Sequence, residues 1–363
     1  MSVVPPQVTK AVVVRKSTGS PPKLIYDAVL ETRPLRQLEE GEVLVKVGAV
    51  AFNHRDVWIR KGLYPAIAIG SIFGADGAGT VIAAHNPEDP LINQRVFLSP
   101  QHGWRSDPEA PESPTHAVLG GTVPPEIGTF TEYVVVSREY VLLSPPHLDD
   151  VHVAAWPLAG VTAWRATMIN GLVSANQNVL ITGIGGGVAL TALQLCIAKG
   201  ANVYVTSGSP EKIEKAKKLG AKGGVSYKDS NWGKNLQALL KKTSESGQLD
   251  VVIDAGGGDI IGNLGSALRP GGRVVCYGMH ANPEIKFTMR QVLRNQKLLG
   301  STMGSVVDLR NATEFLAEHK IVPVISTVLD GLGNAEEGFR ILNEGDQFGK
   351  VVIKVTSGDK PRL

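Results

Sequence analysis

The sequence predicts a two-part α/β protein: a β-rich, barrel-like unit made from both chain ends, and a doubly wound parallel sheet inserted between them. Three observations carry this expectation. Up to about residue 144, short apolar runs are cut by Gly and Pro. From about Val151 to Gly304, strands alternate with helical patterns of roughly 10–15 residues. After Gly304 only two further strand-like runs remain, too few to make a domain, so the tail is expected to return to the first unit. At 363 residues the chain also exceeds what one hydrophobic core usually organises.

In the first segment the strand candidates are AVVVRK, GEVLVKVGAV, GAGTVIAA, QRVFLSP, TFTEYVVV and YVLLSP. Residues 99–128, rich in proline and without periodicity, read as a partial lid. In the second segment NVLITG, NVYVTS, GGVSY, LDVVIDA, GRVVCYGM and KLLGSTM read as six strands. The helical stretches VALTALQLCIAKG, SPEKIEKAKKLG and GKNLQALLKKT lie between them. That alternation describes a nucleotide-binding sheet. The tail offers the helix LRNATEFLAEHK, the strand VPVISTVL, a short helix and the strand KVVIKV. The boundaries expected are 1–149 with 305–363 for the β-rich domain, and 150–304 for the sheet domain.

Composition excludes several classes. Hydrophobic residues make up 43% and charged residues 20%, a chain able to bury a core. A balance of 37 Lys+Arg against 34 Asp+Glu, with the basic residues scattered, gives no phosphate-backbone footprint, so no nucleic-acid partner is expected. Cys196 and Cys276 are too few for a disulfide framework or a four-thiolate metal site, and fit a reducing, cytoplasmic setting. No apolar run reaches the roughly 18 residues of a membrane span, and Met1–Lys10 lacks the apolar region of a signal peptide.

The chemical signal is NVLITGIGGGVALTALQLCIAKG. A buried strand, Asn178–Thr182, runs into Gly183, Ile184, Gly185, Gly186, Gly187, Val188 and Ala189, and a helix follows at once. Glycines at such a turn let the backbone approach a pyrophosphate, which the helix N-terminus holds through its free N–H groups and dipole. Glycine turns are often only turns; here the strand before, the helix after and the second strand support dinucleotide binding. At the end of the second strand an NAD site usually carries an acidic residue for the ribose hydroxyls. This chain has Thr206, Ser207, Gly208 and Ser209, with Lys212 one turn into the next helix. A 2′-phosphate would meet no repulsion there, so NADPH is the expected cofactor. Since Lys215, Lys217 and Lys218 follow, Lys212 also reads as an ordinary exposed helix lysine.

With these pieces in place the chain resembles the medium-chain dehydrogenase/reductase superfamily, and within it the zinc-free, quinone-oxidoreductase-like members. The resemblance spans essentially the whole length. It rests on FNHRDVWIRKGLYP, FGADGAGTVI, GTFTEYVVV, PLAGVTAWRA, the glycine turn, SYK, LLGSTMGS and FGKVVIKV, in that order. It implies a GroES-like catalytic domain from the two chain ends and a Rossmann domain between them. Zinc-dependent relatives have a Cys ligand near the position of Asn53 and Gly-His-Glu where this chain has Gly74, Ala75 and Asp76. Their four-cysteine lobe would fall near residues 100–125, which contain no Cys. No metal is therefore expected. His54, His102 and His116 lack ligand spacing and read as structural or solvated residues.

The resemblance implies Asn53 near the nicotinamide ribose or substrate oxygen, Thr162 beside the nicotinamide, and Tyr227 flanking the 2′-phosphate with Lys212. It also implies Gly278, Met279, Ser301 and Met303 at the nicotinamide end, and Lys350 reaching the cofactor. Each also has a plain structural reading: a helix back-bond for Thr162, a turn cap for Asn53, packing for Tyr227, a solvated strand position for Lys350. Tyr64 is a candidate proton donor, with packing or solvent protonation as the alternatives, and Trp58, Trp104 and Trp156 are candidate pocket walls or core. The activity expected is zinc-independent, NADPH-dependent reduction of a small electrophilic, conjugated acceptor: a quinone, an α,β-unsaturated carbonyl or an enoyl group. An aldehyde or ketone reductase and a non-catalytic NADPH-binding redox sensor are the alternatives. Relatives often pair Rossmann edge strands, so a homodimer through residues 272–279 or 297–303 is expected.

Overall fold

The structure is a computed structural model and describes residues 6–18, 24–123, 127–279 and 281–355. Residues 1–5, used above in reading the N-terminus, and 124–126 of the proline-rich segment lie outside the described residues. The chain divides into two compact units, Met1–Leu158 with Ser305–Leu363, and Ala159–Gly304.

The first unit begins with the antiparallel ribbon β1 (Val8–Lys16) and β2 (Tyr26–Pro34), in register from Val8 opposite Pro34 to Lys16 opposite Tyr26. No strand was expected over 26–34. YDAVLETRP pairs only with β1 and puts all three of its charges on one face, while the opposite face runs from Tyr26, Ala28 and Leu30 into Thr32 and Pro34 and leaves Leu30 exposed, so its apolar alternation is too short to mark a half-buried strand. Then come β3 (Glu42–Ala51), α1 (His54–Arg60), β4 (Asp76–Ala84), β5 (Arg95–Leu98), the short pair β6 (Gln101–His102) and β7 (Ala117–Val118), β8 (Tyr133–Ser137), β9 (Val141–Leu143) and α2 (Asp150–Ala154).

The second unit takes in the later turns of α3 (Pro157–Trp164). It continues with β10 (Asn178–Ile181), α4 (Gly187–Ala198), β11 (Asn202–Ser207), α5 (Pro210–Lys218), β12 (Gly223–Ser226), α6 (Trp232–Thr243), β13 (Leu249–Asp254) and β14 (Gly257–Gly258). It closes with α7 (Ile260–Leu264), β15 (Leu268–Cys276), β16 (Asn282–Ile285), α8 (Met289–Val292) and β17 (Lys297–Gly300). All six expected strands form one parallel sheet in the order β12-β11-β10-β13-β15-β17. Its central strands β10 and β13 are buried on both faces and so read as continuous apolar runs. The strand order reverses between β10 and β13, the switch point at which open α/β sheets place a ligand beyond the strand carboxyl ends. Of the two edge candidates, 297–303 contains the edge strand β17, whereas 272–279 belongs to β15, which has neighbours on both sides.

The tail, α9 (Val306–Glu318), β18 (Ile325–Asp330), α10 (Ala335–Glu344) and β19 (Lys350–Lys354), returns to the first unit. β19 pairs antiparallel with β3 and parallel with β18, in a sheet ordered β18-β19-β3-β4-β5-β9, with β8 also on β3. An aromatic knot locks this return. Phe52 meets Phe130 edge-to-face at 4.7 Å and Phe339 of α10 at 5.1 Å, while Phe73 meets Phe339 at 5.2 Å.

The expected boundary needs correction: it falls after Leu158 rather than after 149. The α2 helix packs on β3 and β4, and the Leu158 amide donates to Asp76, so this stretch belongs with the first unit. The described part of the proline-rich segment is tethered to the tail. Trp104 is buried in it, and the Trp104 and Arg105 carbonyls accept from the first amides of α9. The Glu112 carboxylate takes the Ser106, Asp107 and Arg105 amides at 2.6–2.7 Å, which holds its acid down at about 2.

Candidate cofactor turn and buried charge cluster

In the second unit the glycine turn is built by its neighbours. Gly183 lies at φ 64, where a side chain is strained, and its N–H donates to the Thr206 hydroxyl at 3.1 Å. The Ile184 amide donates to the Thr206 carbonyl at 2.8 Å, so the turn is pinned on β11. On the other side the Thr182 hydroxyl donates to Asp254 at 2.6 Å, and the second Asp254 oxygen accepts from the Gly257 amide at 2.7 Å. Gly186 caps α4 at φ −76, leaving the first-turn amides of Gly187, Val188 and Ala189 without helix partners. A Cβ at Gly183 or Gly186 would meet nothing within 4 Å. Free amides, the positive end of a 12-residue helix and open space above two glycines fit a dinucleotide pyrophosphate.

Further along this unit, the Thr162 hydroxyl donates to Met303 Sδ at 3.8 Å, and Met303 sits in the left-handed region at φ 47. Ser301 Oγ is buried with no hydrogen-bond partner among the described residues. Gly278 is partly exposed and Met279 is 55% exposed. Cys276, beside Asp254, has its thiol pushed up to about 12 by burial and that neighbouring charge.

The first unit holds a buried cluster of two cations and two carboxylates. Asn53 starts α1, and Asp56 reaches back to accept the Asn53 amide at 2.8 Å, one half of a capping box. The Asn53 side chain turns the other way. Its Nδ2 donates to Asp76 Oδ2 at 2.9 Å, and its Oδ1 accepts from the Lys350 ammonium at 2.7 Å. Lys350 also binds Asp76 Oδ2 at 2.8 Å, with its side chain 6% exposed and that of Asp76 fully buried. The Leu158 amide takes the other Asp76 oxygen at 2.8 Å. Arg55 donates to the Leu119 and Gly120 carbonyls, lies 3.7 Å from Asp56 and stacks 4.4 Å above the half-buried Tyr64 ring.

Asp56 is fully buried, one of its oxygens has no hydrogen bond among the described residues, and burial pushes its acid from 3.8 up to about 6, against the pull of Arg55. Burying the neutral acid is the easier process. Its contribution to stability is therefore fully present below about pH 3.8 and is lost as pH rises through 6. Asp56→Asn keeps an oxygen for the Asn53 amide and carries no charge. It is expected to remove this slope, read as the urea midpoint against pH; a slope like the parent's between pH 3.8 and 6 would contradict the assignment.

Comparison with known proteins decides the family. Residues 39–146 match the family described as Alcohol dehydrogenase GroES-like domain, and residues 187–318 match Zinc-binding dehydrogenase. The zinc-type alcohol dehydrogenase-like protein YogA of Leptosphaeria maculans is 41% identical over 327 residues, covering 87% of this chain and 91% of that protein. The chain is a medium-chain dehydrogenase/reductase. A zinc-type alcohol dehydrogenase-like protein of Schizosaccharomyces pombe is 33% identical, over 88% of this chain and 92% of the relative. A solved NAD-dependent alcohol dehydrogenase superposes with a TM-score of 0.82 at 33% identity, covering 96% of this chain and all of that one.

For this medium-chain dehydrogenase/reductase the zinc in those names can be tested against the donors. Asn53 Oδ1 and Asp76 Oδ2 both already bind the Lys350 ammonium, Ala75 offers no donor, and the Asn53 amide nitrogen is committed to Asp76. Among the described residues no three His, Cys, Asp or Glu side chains converge on a point. These residues do not fit a catalytic zinc. His54 is exposed, with its ring edge-to-face on Trp58, and His116 bonds Gln101 beside Trp104.

The structure gathers Gly183, Gly185, Gly186, Gly187, Val188 and Thr206 at one turn, and Asn53 with Lys350 in one cluster. Lys350, expected to reach the cofactor, donates from its ammonium to Asp76 and Asn53. Thr206 and Ser207 are both buried, and their hydroxyl oxygens accept from the Gly183 and Ser209 amides. Tyr227 is 51% exposed, and the Lys212 amide is capped by Ser209. Trp104 and Trp156 are core residues, with Trp156 Nε1 donating to Thr313. Sequence reasoning did not single out Arg55, Asp56, Thr182 and Asp254, which help build the cluster and the turn. The carboxylate closing the apolar run LDVVIDA was the available sign of Asp254.

Proposed function

We propose that this protein is a zinc-independent, NADPH-dependent reductase of small conjugated acceptors: quinones, α,β-unsaturated carbonyls or enoyl groups. The observation that carries the proposal is the Lys350–Asp76–Asn53 triangle, in which a lysine ammonium takes up the oxygen donors a metal would need. Without a Lewis acid, alcohol oxidation loses its usual activation, and reduction of electrophilic acceptors is the easier chemistry. Bound NADPH supplies the hydride. The Gly183–Val188 turn and the α4 amides hold its pyrophosphate, and Tyr227 with Lys212 take the 2′-phosphate. Thr162, Gly278, Met279, Ser301 and Met303 border the nicotinamide, where the unpartnered Ser301 hydroxyl suits a carboxamide. Lys350 and Asp76 fix the Asn53 amide, whose second N–H is a donor for oxygen charge that develops on the acceptor. Tyr64, its ring under the Arg55 guanidinium, is the side-chain candidate for the proton, with solvent as the alternative.

The exposed edge of β17, with the exposed Met289, Val292 and Leu293 nearby in sequence, supports a homodimer. No helix among the described residues is long and apolar enough to cross a membrane, and the two cysteines are consistent with the proposed cytoplasmic location. A second reading, an NAD-dependent alcohol or aldehyde enzyme, is favoured by the solved relative of that description.

The test is NADPH consumption with phenanthrenequinone, an alkenal and a simple aldehyde, before and after exhaustive chelation. Turnover of the first two that survives chelation is the expected result. Chelator-sensitive turnover, or a preference for the aldehyde with NADH, moves the assignment to the second reading. Tight NADPH binding with no turnover leaves a redox sensor.

A further inference from the structure

We propose that Lys228 is the specificity-determining cation for a 2′-phosphorylated dinucleotide; this rests on the NADPH reading and deepens it. The loop after β11 has no carboxylate, and its hydroxyl oxygens take up its own backbone amides. Thr206 accepts from Gly183, Ser207 from the Ser209 amide at 3.1 Å, and Ser209 from the Lys212 amide at 3.4 Å. The hydroxyls close the loop on itself. Lys212 shares the field of Glu211, whose acid is held down chiefly by Lys215 at 2.6 Å and further by Lys212. Part of the Lys212 charge is thereby already offset.

Lys228 is placed differently. A Cβ on Gly208 would lie 2.7 Å from the Tyr227 hydroxyl and 2.9 Å from Lys228 Cε. The tyrosine tip and the end of the lysine stem therefore lie directly on the loop that follows β11, and glycine at 208 is what admits them. Backbone bonds fix both: the Tyr227 amide donates to the Ser207 carbonyl at 3.2 Å, and the Lys228 amide to Ser226 Oγ at 3.3 Å. The neighbouring acid does not neutralise Lys228, because Asp229 is used by the Asn231 amide and by Asn235. Among the described residues the Lys228 ammonium forms no ion pair. A phosphate dianion on the ribose beside this loop would find an unspent ammonium and a phenol O–H side by side, and a ribose hydroxyl would gain little from either.

The test is calorimetric binding of NADPH and NADH to the full-length protein, its Lys228→Gln, Lys228→Arg and Lys212→Gln variants, with melting curves to verify folding. Lys228→Gln is expected to weaken NADPH by roughly tenfold to a hundredfold, leave NADH unchanged and reduce the salt dependence of NADPH binding, while Lys228→Arg retains most of the affinity. If the parent prefers NADPH but only Lys212→Gln loses that preference, the proposal is overturned and the NADPH reading stands. Equal loss for both nucleotides in Lys228→Gln overturns it as a merely structural effect. Equal parent affinity for NADH and NADPH overturns the cofactor reading and the proposal together.

Discussion

Lys350→Met is expected to cost about 3–5 kcal/mol of stability, because it strips the charge partner from Asp76, whose side chain is fully buried. The loss is larger than for a surface ion pair, since neither group has water to fall back on. Adding Asp76→Asn should recover at least half of it: that residue still accepts from Leu158 and no longer presents an uncompensated charge. Urea denaturation of the two single variants and the double variant gives the coupling directly. A Lys350→Met protein as stable as the parent would show that the triangle does not hold the unit together. Turnover should fall at least tenfold as well, because Asn53 Oδ1 loses the donor that fixes its amide.

Gly186→Val is expected to abolish nucleotide binding while leaving the fold in place. Its φ of −76 is ordinary for any residue, and a Cβ there touches nothing within 4 Å. The cost as a helix cap is within about 1 kcal/mol. A branched side chain would occupy the space a pyrophosphate needs above the α4 amides, so affinity for NADPH should drop by about a hundredfold or more. Gly183→Ala differs in principle: at φ 64 it strains the backbone and loses both stability and affinity. Calorimetry and melting curves on the pair separate the two effects. Unimpaired binding by a folded Gly186→Val protein would remove the turn from the cofactor site.

The legible parts of this protein were those written in local pattern. Six buried parallel strands, the helices between them and the glycine turn declare themselves because each is a run of one composition bounded by another. The returning tail was legible because two strands cannot close a core. The β2 strand was not, since its apolar face is only Tyr26, Ala28 and Leu30 before Thr32 and Pro34 break the alternation. The buried cluster was hidden for a different reason. Asn53, Asp76 and Lys350 are far apart in sequence and meet only through pairing of β3 with β4 and of β3 with β19. Nothing near Lys350 distinguishes a buried ammonium from a solvated strand lysine.

The returning tail also bears on how the protein is made. Phe52 and Phe73 leave the ribosome long before Phe339, their partner on α10. At roughly 5–20 residues per second, that delay is on the order of 15 to 60 seconds. During it, the nascent first unit holds a ring cluster with one face uncovered and a β3 edge awaiting β19. The inserted segment, Ala159–Gly304, is contiguous and can complete its sheet while the chain is still growing. Premature termination before α10 would therefore yield a finished nucleotide-binding sheet attached to an aggregation-prone half-barrel.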